Sequence, residues 1–154
     1  MSTGDLDTLL AIEQAAYSFP WTRGNFLDSL AAGHLSEVLL DVPARVKGYF
    51  VAMLGVEEMH LLNLTVAPDI QGQGHGQALL NCLVGRCRQH GAQQLWLEVR
   101  QCNQRAQDIY RRFGFRASGV RSGYYPAAQG LREDAIVMSL KIHQTSGGGS
   151  DALE

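Results

Sequence analysis

Gln71-Gly72-Gln73-Gly74-His75-Gly76 is the stretch from which the fold of this chain can be read. Before it lies an apolar run, Met59 to Val66, closed by Pro68; proline has no amide for a sheet ladder, so a strand ends there. After it, Leu79, Leu80, Leu83, Val84 and Cys87 keep helical spacing. Strand, glycine loop and helix in this order form a phosphate-binding element. The first helical turn offers unpaired N–H groups and a partial positive charge, and glycines let a ligand approach the backbone. Two common loops of this kind fit poorly. A Walker A loop ends in Gly-Lys-Ser/Thr, whereas Gly76 is followed by Gln77-Ala78, so nucleoside triphosphate hydrolysis lacks its lysine and its magnesium-binding hydroxyl. A dinucleotide fingerprint counted from Gly72 needs glycine at position 77, which is Gln77, and the loop falls mid-chain.

Upstream, Leu6, Leu9, Leu10 and Ile12 mark an amphipathic helix ending near Ala16, before the break Tyr17-Ser18-Phe19-Pro20-Trp21-Thr22. Thr22 suits the N-cap of a second helix to about Ala32, closed by Gly33. Val38-Leu39-Leu40 and Val46 to Leu54 read as strands joined by a turn around Pro43. Downstream, the central helix should end at Gly91. Leu95-Trp96-Leu97-Glu98-Val99-Arg100 then alternates as a strand, with Leu95, Leu97 and Val99 on one face and Glu98 on the other. Asn103 suits the N-cap of a helix carrying Ala106, Ile109, Tyr110 and Phe113, stopped by Gly114. Phe115 to Val120 and Ala135 to Leu140 read as closing strands around a turn at Pro126 to Gly130. Helices, a strand meander and two strand–helix units predict an α/β fold on a mixed sheet. One domain over residues 1–143 accounts for it, followed by a Gly/Ser-rich tail, 144–154, that cannot add to a core and whose Leu153-Glu154 end resembles a cloning remnant.

The composition, 45% hydrophobic and 18% charged, is that of a soluble globular protein. No apolar run approaches the roughly 20 residues of a membrane span, and Met1-Ser2-Thr3-Gly4-Asp5 lacks a basic n-region and an apolar h-region. A cytoplasmic protein without a membrane partner is expected. Net charge is −2 with signs interleaved, so no basic stripe marks a nucleic-acid face, and an anionic cofactor must be held by local geometry. Cys82, Cys87 and Cys102 are odd in number and form no CxxC pair, which reads as reduced thiols and no metal. His75 reads as an exposed loop residue rather than a metal ligand.

The hexapeptide matches the Gln/Arg-x-x-Gly-x-Gly/Ala signature of GNAT acetyltransferases, and Asn103-x-x-Ala106-x-x-x-Tyr110-x-x-x-Gly114-Phe115 also resembles that superfamily. The likeness runs from about Leu9 to Leu140. It narrows to the ribosomal-protein-alanine N-acetyltransferase branch through Phe19-Pro20-Trp21, Leu95 to Arg100, and Tyr124-Tyr125-Pro126 with Arg132-Glu133-Asp134-Ala135. The resemblance implies a central, mostly antiparallel, twisted sheet flanked by helices, its strands splayed at the coenzyme A site. It implies acetyl-CoA as co-substrate and no metal. The coenzyme would be held by Leu64, Thr65, Val66, Gln71, Gly72, Gln73, Gly74, His75, Gly76, Gln77, Asn103 and Tyr110. It further implies Glu98 as base, Tyr110 as acid, and an acceptor groove near Trp21, Tyr124 and Tyr125. The implied partner is the N-terminal segment of a ribosomal protein beginning with alanine, and a monomer is expected.

Forming an amide from a thioester requires a neutral amine, donors for the oxyanion and a proton for the departing thiolate. Glu98 could accept the first proton through water and Tyr110 could supply the last. Each residue also has a plain reading: Glu98 as a solvated strand carboxylate, Tyr110 as helix packing, Asn103 as a cap alone, Trp21 and Phe19 as packing under the first helices. Cys102 stands where a small residue such as serine is usual, Leu131 reads as an inserted turn residue, and Asp41 to Lys47 is idiosyncratic. These departures leave acceptor choice open. A small-molecule amine acetyltransferase and a non-catalytic coenzyme A-binding module are the competing readings.

Overall fold

A computed structural model of the chain describes residues 1–42 and 44–144; Pro43, the residue of the expected turn, and the tail after Gln144 lie outside them. The elements are α1 (Leu6–Ala16), α2 (Arg23–Ala31), β1 (Leu35–Asp41), β2 (Arg45–Leu54), β3 (Glu58–Val66), α3 (His75–Gln89), β4 (Gln94–Arg100), α4 (Gln104–Phe113), β5 (Arg116–Pro126) and β6 (Arg132–Lys141). The helix starts follow from their caps. Thr22 Oγ1 accepts from the Asn25 amide at 3.1 Å while Asn25 Oδ1 accepts from the Thr22 amide at 2.9 Å. Asn103 Oδ1 accepts from the Ala106 amide at 3.1 Å.

The six strands form one sheet in the order β1-β2-β3-β4-β6-β5, in which only β3 and β4 run parallel, so the mixed sheet expected from the sequence is present. The β3–β4 register runs from Glu58↔Gln94 to Leu61↔Leu97 and stops, although β3 continues to Val66 and β4 to Arg100. The two strands therefore part at their C-terminal ends, and that parting positions the site. β5 is longer than the sequence suggests, continuing past Val120 to Pro126. Register shifts between Ala117 and Gly119 and between Arg121 and Tyr125 interrupt its pairing with β6, which erases the two-residue periodicity that would have revealed the strand.

Helices α3 and α4 bury Leu80, Leu83 and Tyr110 against Phe50, Met59, Leu95, Leu97 and Met138 of the sheet. On the other face, α1 and α2 pack Leu6, Leu9 and Phe26 against Tyr49, Val38 and Val46. Each such buried side chain contributes about 1.5–3 kcal/mol. Gly48 in β2 is required by a close approach, since a Cβ there would stand 2.6 Å from the carbonyl oxygen of Thr65.

A buried carboxyl, Glu13 of α1, joins this second layer to the sheet. Its oxygens accept from the Trp21 amide (2.8 Å), the Tyr49 hydroxyl (2.9 Å), Asn63 Nδ2 (2.7 Å) and Thr65 Oγ1 (3.2 Å). Replacing it with leucine strands several buried donors, each costing about 1–3 kcal/mol. Glu13→Leu is expected to cost about 3 kcal/mol and lower Tm by roughly 6–12 °C in thermal denaturation. A shift below 2 °C would contradict this account of the network.

Candidate active site

The parting of β3 and β4 opens a cleft of about 1090 Å³. Its walls come from Leu64 and Val66 at the end of β3, the glycine loop with the start of α3, the exposed side of α4, and the segment Ala16 to Phe19 after α1. The backbone of β3 is what makes this opening chemically useful. In a strand, the N–H and C=O of one residue point to the same side and those of the next residue to the other. Thr65 pairs with Tyr49 of β2, and the Ala67 amide donates to Lys47 O at 2.8 Å, so these residues face β2. The carbonyls of Leu64 and Val66 instead accept from the Tyr17 hydroxyl (3.1 Å) and Gln71 Nε2 (3.3 Å). The amides of Leu64 and Val66 therefore face the parting. Of the three β3 residues expected to meet the acetyl group, Thr65 is the exception. Its amide serves the ladder and its side chain the Glu13 network.

Gln71, Gly72, Gly74, His75, Gly76 and Gln77 line the cleft, whereas Gln73 does not. Gly72 and Gly74 have φ of 81° and 85°, left-handed conformations that cost other residues about 1–2 kcal/mol. Gly74 is the N-cap of α3, so this geometry turns the first amides of the helix towards the cleft mouth. Arg105 and Arg112 of α4 also line the cleft, and Arg105 Nη2 comes within 3.8 Å of the place a Cβ on Gly72 would occupy. A glycine cradle, a helix N-terminus and two arginines fit the phosphates of a coenzyme A thioester. Nothing in the sequence marks these arginines, because charge on an exposed helix face carries no sign of its direction. A Cβ at Gly74 would meet nothing within 4 Å, so Gly74→Ala acts through backbone strain alone. It is expected to raise KM for acetyl-CoA about 5–10-fold, equivalent to the ~1 kcal/mol of that strain, with kcat within about twofold in steady-state assays.

Asn103 lines the cleft while capping α4, so the cap does not withdraw it from the cleft. Tyr110, two turns on, also lines it, with its ring edge-on to Phe115 at 5.5 Å between centroids. Burial, with smaller contributions from Tyr17 and Tyr125, raises its hydroxyl well above the usual phenol value, so it is protonated throughout the physiological range. Tyr17 joins the same cleft, a role its place in a helix-breaking segment did not suggest. Its hydroxyl lies 2.9 Å from Thr65 Oγ1, and burial is the main force pushing its pKa up to about 12.

Glu98 does not line the cleft. It projects from β4 just past the last β3–β4 register pair, on the face opposite Leu97 and Val99, with 7% of its side chain exposed. Oε1 stands 2.6 Å from His60 Nε2, and Oε2 accepts from Arg121 Nε at 3.2 Å. Burial alone would raise its pKa, but the hydrogen bond and charge of His60, with those of Arg121, hold it below the usual carboxylate range. Tyr124 and Tyr125 lie close enough for its charge to raise their hydroxyls, after burial as the larger cause. Tyr110 and Glu98 thus flank the parting from opposite faces of the sheet.

On the Glu98 side, the Arg100 guanidinium sits between the rings of Phe19 (4.9 Å) and Tyr125 (4.5 Å) while bonding to Pro126 O and Glu133. This stack ties the α1–α2 segment to the β5–β6 hairpin at the cleft rim. Trp21, expected in the groove, is instead packed edge-on against Phe26 at 5.1 Å, its amide held by Glu13. Phe19 takes the position at the rim. One aromatic of Phe-Pro-Trp turns inward and the other outward, which spacing alone does not determine.

Parted strands with amides facing the opening, a glycine cradle at a helix start, and a buried tyrosine hydroxyl and a carboxylate on either side suit a transferase for a phosphate-bearing acyl donor. The chain belongs to the acetyltransferase (GNAT) family, whose pattern matches residues 6–115, and is an acetyl-CoA-dependent N-acetyltransferase. It is 37% identical over 142 residues to the ribosomal protein bS18-alanine N-acetyltransferase of Salmonella typhimurium, covering 92% of this chain and 95% of that one. Identity to the enzyme of the same name from Haemophilus ducreyi is 36% over 138 residues, 90% and 94% of the two chains. The crystal structure of the ribosomal-protein-S18-alanine N-acetyltransferase from Escherichia coli matches with a TM-score of 0.84 at 35% identity, covering 99% of this chain and 96% of the other. The splayed mixed sheet that the sequence resemblance implied is the fold observed.

Proposed function

We propose that this enzyme transfers an acetyl group from acetyl-CoA to the α-amine of a protein N-terminus, that of ribosomal protein S18 beginning with alanine. The observation that carries the reading is the parting of β3 and β4, with Tyr110 on one face and Glu98 on the other, in a chain similar over nearly its whole length to enzymes named for that acceptor. Acetyl-CoA supplies the thioester carbonyl that the amine attacks. The amides of Leu64 and Val66 hold the carbonyl oxygen where negative charge develops. The amine gives up its proton to Glu98 through water as the N–C bond forms. As the C–S bond breaks, Tyr110 supplies a proton to the departing sulfur and regains one from solvent. The aromatic rim of Phe19, Tyr124 and Tyr125 gives an extended peptide stiff surfaces to lie against.

We place the activity in a single domain of residues 1–143, acting as a monomer in the cytoplasm without nucleic acid. Among the described residues, no helix is long and apolar enough to cross a membrane. The test is acetyl transfer from acetyl-CoA to a short peptide beginning with alanine, beside spermidine and free lysine, followed by thiol release and mass spectrometry. Acetylation of the peptide α-amine alone is the expected result. Turnover with the small amines only would discard the ribosomal acceptor and keep the acetyltransferase.

A further inference from the structure

We infer that His60 is a positioning residue for acetyl transfer, holding the Glu98 carboxylate in place at the strand parting. The inference rests on the reading of Glu98 as proton acceptor.

His60 lies on β3 opposite Trp96 of β4, so Glu98, two residues further on, shares its face and stands on the diagonal. The next register pair, Leu61↔Leu97, is the last before the strands part. The His60–Glu98 bond is thus a side-chain link across β3 and β4 at the very edge of the opening. At 2.6 Å it is a short, charge-assisted contact. An ionised carboxylate only accepts, so Nε2 must be the donor, which fixes the imidazole tautomer or its protonated form. Arg121, reaching from β5 across β6, occupies the other carboxylate oxygen. Glu98 is therefore gripped on one face of the sheet by strands to either flank of β4 and cannot turn without breaking one bond. Among the described residues, Tyr124 and Tyr125 of β5 also lie close enough to feel the Glu98 charge.

Exposure separates the two partners: 24% of the His60 side chain is accessible against 7% of Glu98. Nε2 carries the proton of the existing bond and so cannot take another from Glu98: His60 holds the carboxylate, and the amine proton leaves Glu98 by the water through which it arrived.

The experiment compares His60→Phe, His60→Gln, Glu98→Gln and the His60→Phe/Glu98→Gln double variant with the wild type on the alanine peptide. The readouts are kcat, KM for acetyl-CoA and the pH profile of kcat. His60→Phe should lose about tenfold in kcat at pH 7, less than the roughly hundredfold or more that a proton-transfer group itself contributes, because Glu98 remains. Its acidic limb should move to higher pH, because Glu98 loses the bond that favours its ionised form. KM for acetyl-CoA should stay unchanged. His60→Gln keeps an amide donor and should recover at least part of the loss. The double variant should be no slower than Glu98→Gln alone. Should His60→Phe not fold, His60→Asn, whose shorter amide stops short of Glu98, is expected to show the same loss and the same shift. Wild-type kcat and pH profile in the histidine variants, with Glu98→Gln impaired, overturn the inference alone. So does a loss that leaves the profile unmoved and persists undiminished in the Glu98→Gln background, since that is a structural effect. A fully active Glu98→Gln overturns the reading of Glu98 and the inference with it.

Discussion

Glu98→Gln is expected to lower kcat about a hundredfold at pH 7 and only about tenfold at pH 9. Glutamine is nearly isosteric and can still meet Arg121 or His60, but it cannot take a proton. The variant must wait for substrate whose amine is already neutral. With an α-amino pKa near 8, that fraction is about a tenth at pH 7 and about nine-tenths at pH 9, so the deficit shrinks roughly tenfold. The wild type should remain flat well into the acid range, because His60 and Arg121 keep Glu98 ionised despite its burial. Its activity falls only as pH drops through the lowered carboxyl pKa. A pH profile of kcat for both proteins on the alanine peptide is decisive. A deficit that stays constant with pH would make Glu98 a group that positions the amine rather than one that deprotonates it.

Tyr110→Phe is expected to cost about a hundredfold in kcat at every pH from 6 to 9, with acetyl-CoA affinity and Tm unchanged. Only the hydroxyl is removed. The ring keeps its edge-on contact with Phe115, and α4 keeps its cap on Asn103, so neither the core nor the coenzyme cleft is disturbed. The flat pH dependence follows from burial, which raises the hydroxyl pKa far above this range and keeps the proton on it. Rapid-quench kinetics with a saturating peptide, beside calorimetric titration with coenzyme A, separates the two steps. Unchanged turnover would remove Tyr110 from the acid role. Weakened coenzyme binding would make it a binding residue.

These two residues also mark the boundary between local and tertiary information. Tyr110 was legible because a capped helix has a known start. Counting seven residues from Asn103 places its side chain on the same helix face, and the structure puts both at the cleft. The alternation of Leu95, Leu97 and Val99 likewise set Glu98 on the opposite face of its strand. What Glu98 meets on that face was not legible. His60 is 38 residues away and Arg121 is 23, and neither has a neighbour in sequence that announces a carboxylate partner. The same limit applies to Tyr17, Arg105 and the Phe19–Arg100–Tyr125 stack, where each contact joins segments that meet only once the sheet has formed.

By itself the sequence determined the order of elements, the glycine loop between strand and helix, the caps at Thr22 and Asn103, and the acetyltransferase resemblance. The first three depend on periodicity and backbone chemistry within about one or two turns of chain, and the resemblance on short motifs. Only the tertiary structure decided where β3 and β4 part, which leaves the Leu64 and Val66 amides free and commits Thr65 to β2. It also decided that Trp21 is packing and Phe19 is rim, because Glu13, buried beneath α1, holds the Trp21 amide and so sets the direction of the turn. Strand register and the partners of buried polar groups depend on which distant segments share a sheet edge or a core layer. That information is carried by the packing of the whole chain rather than by any stretch of it.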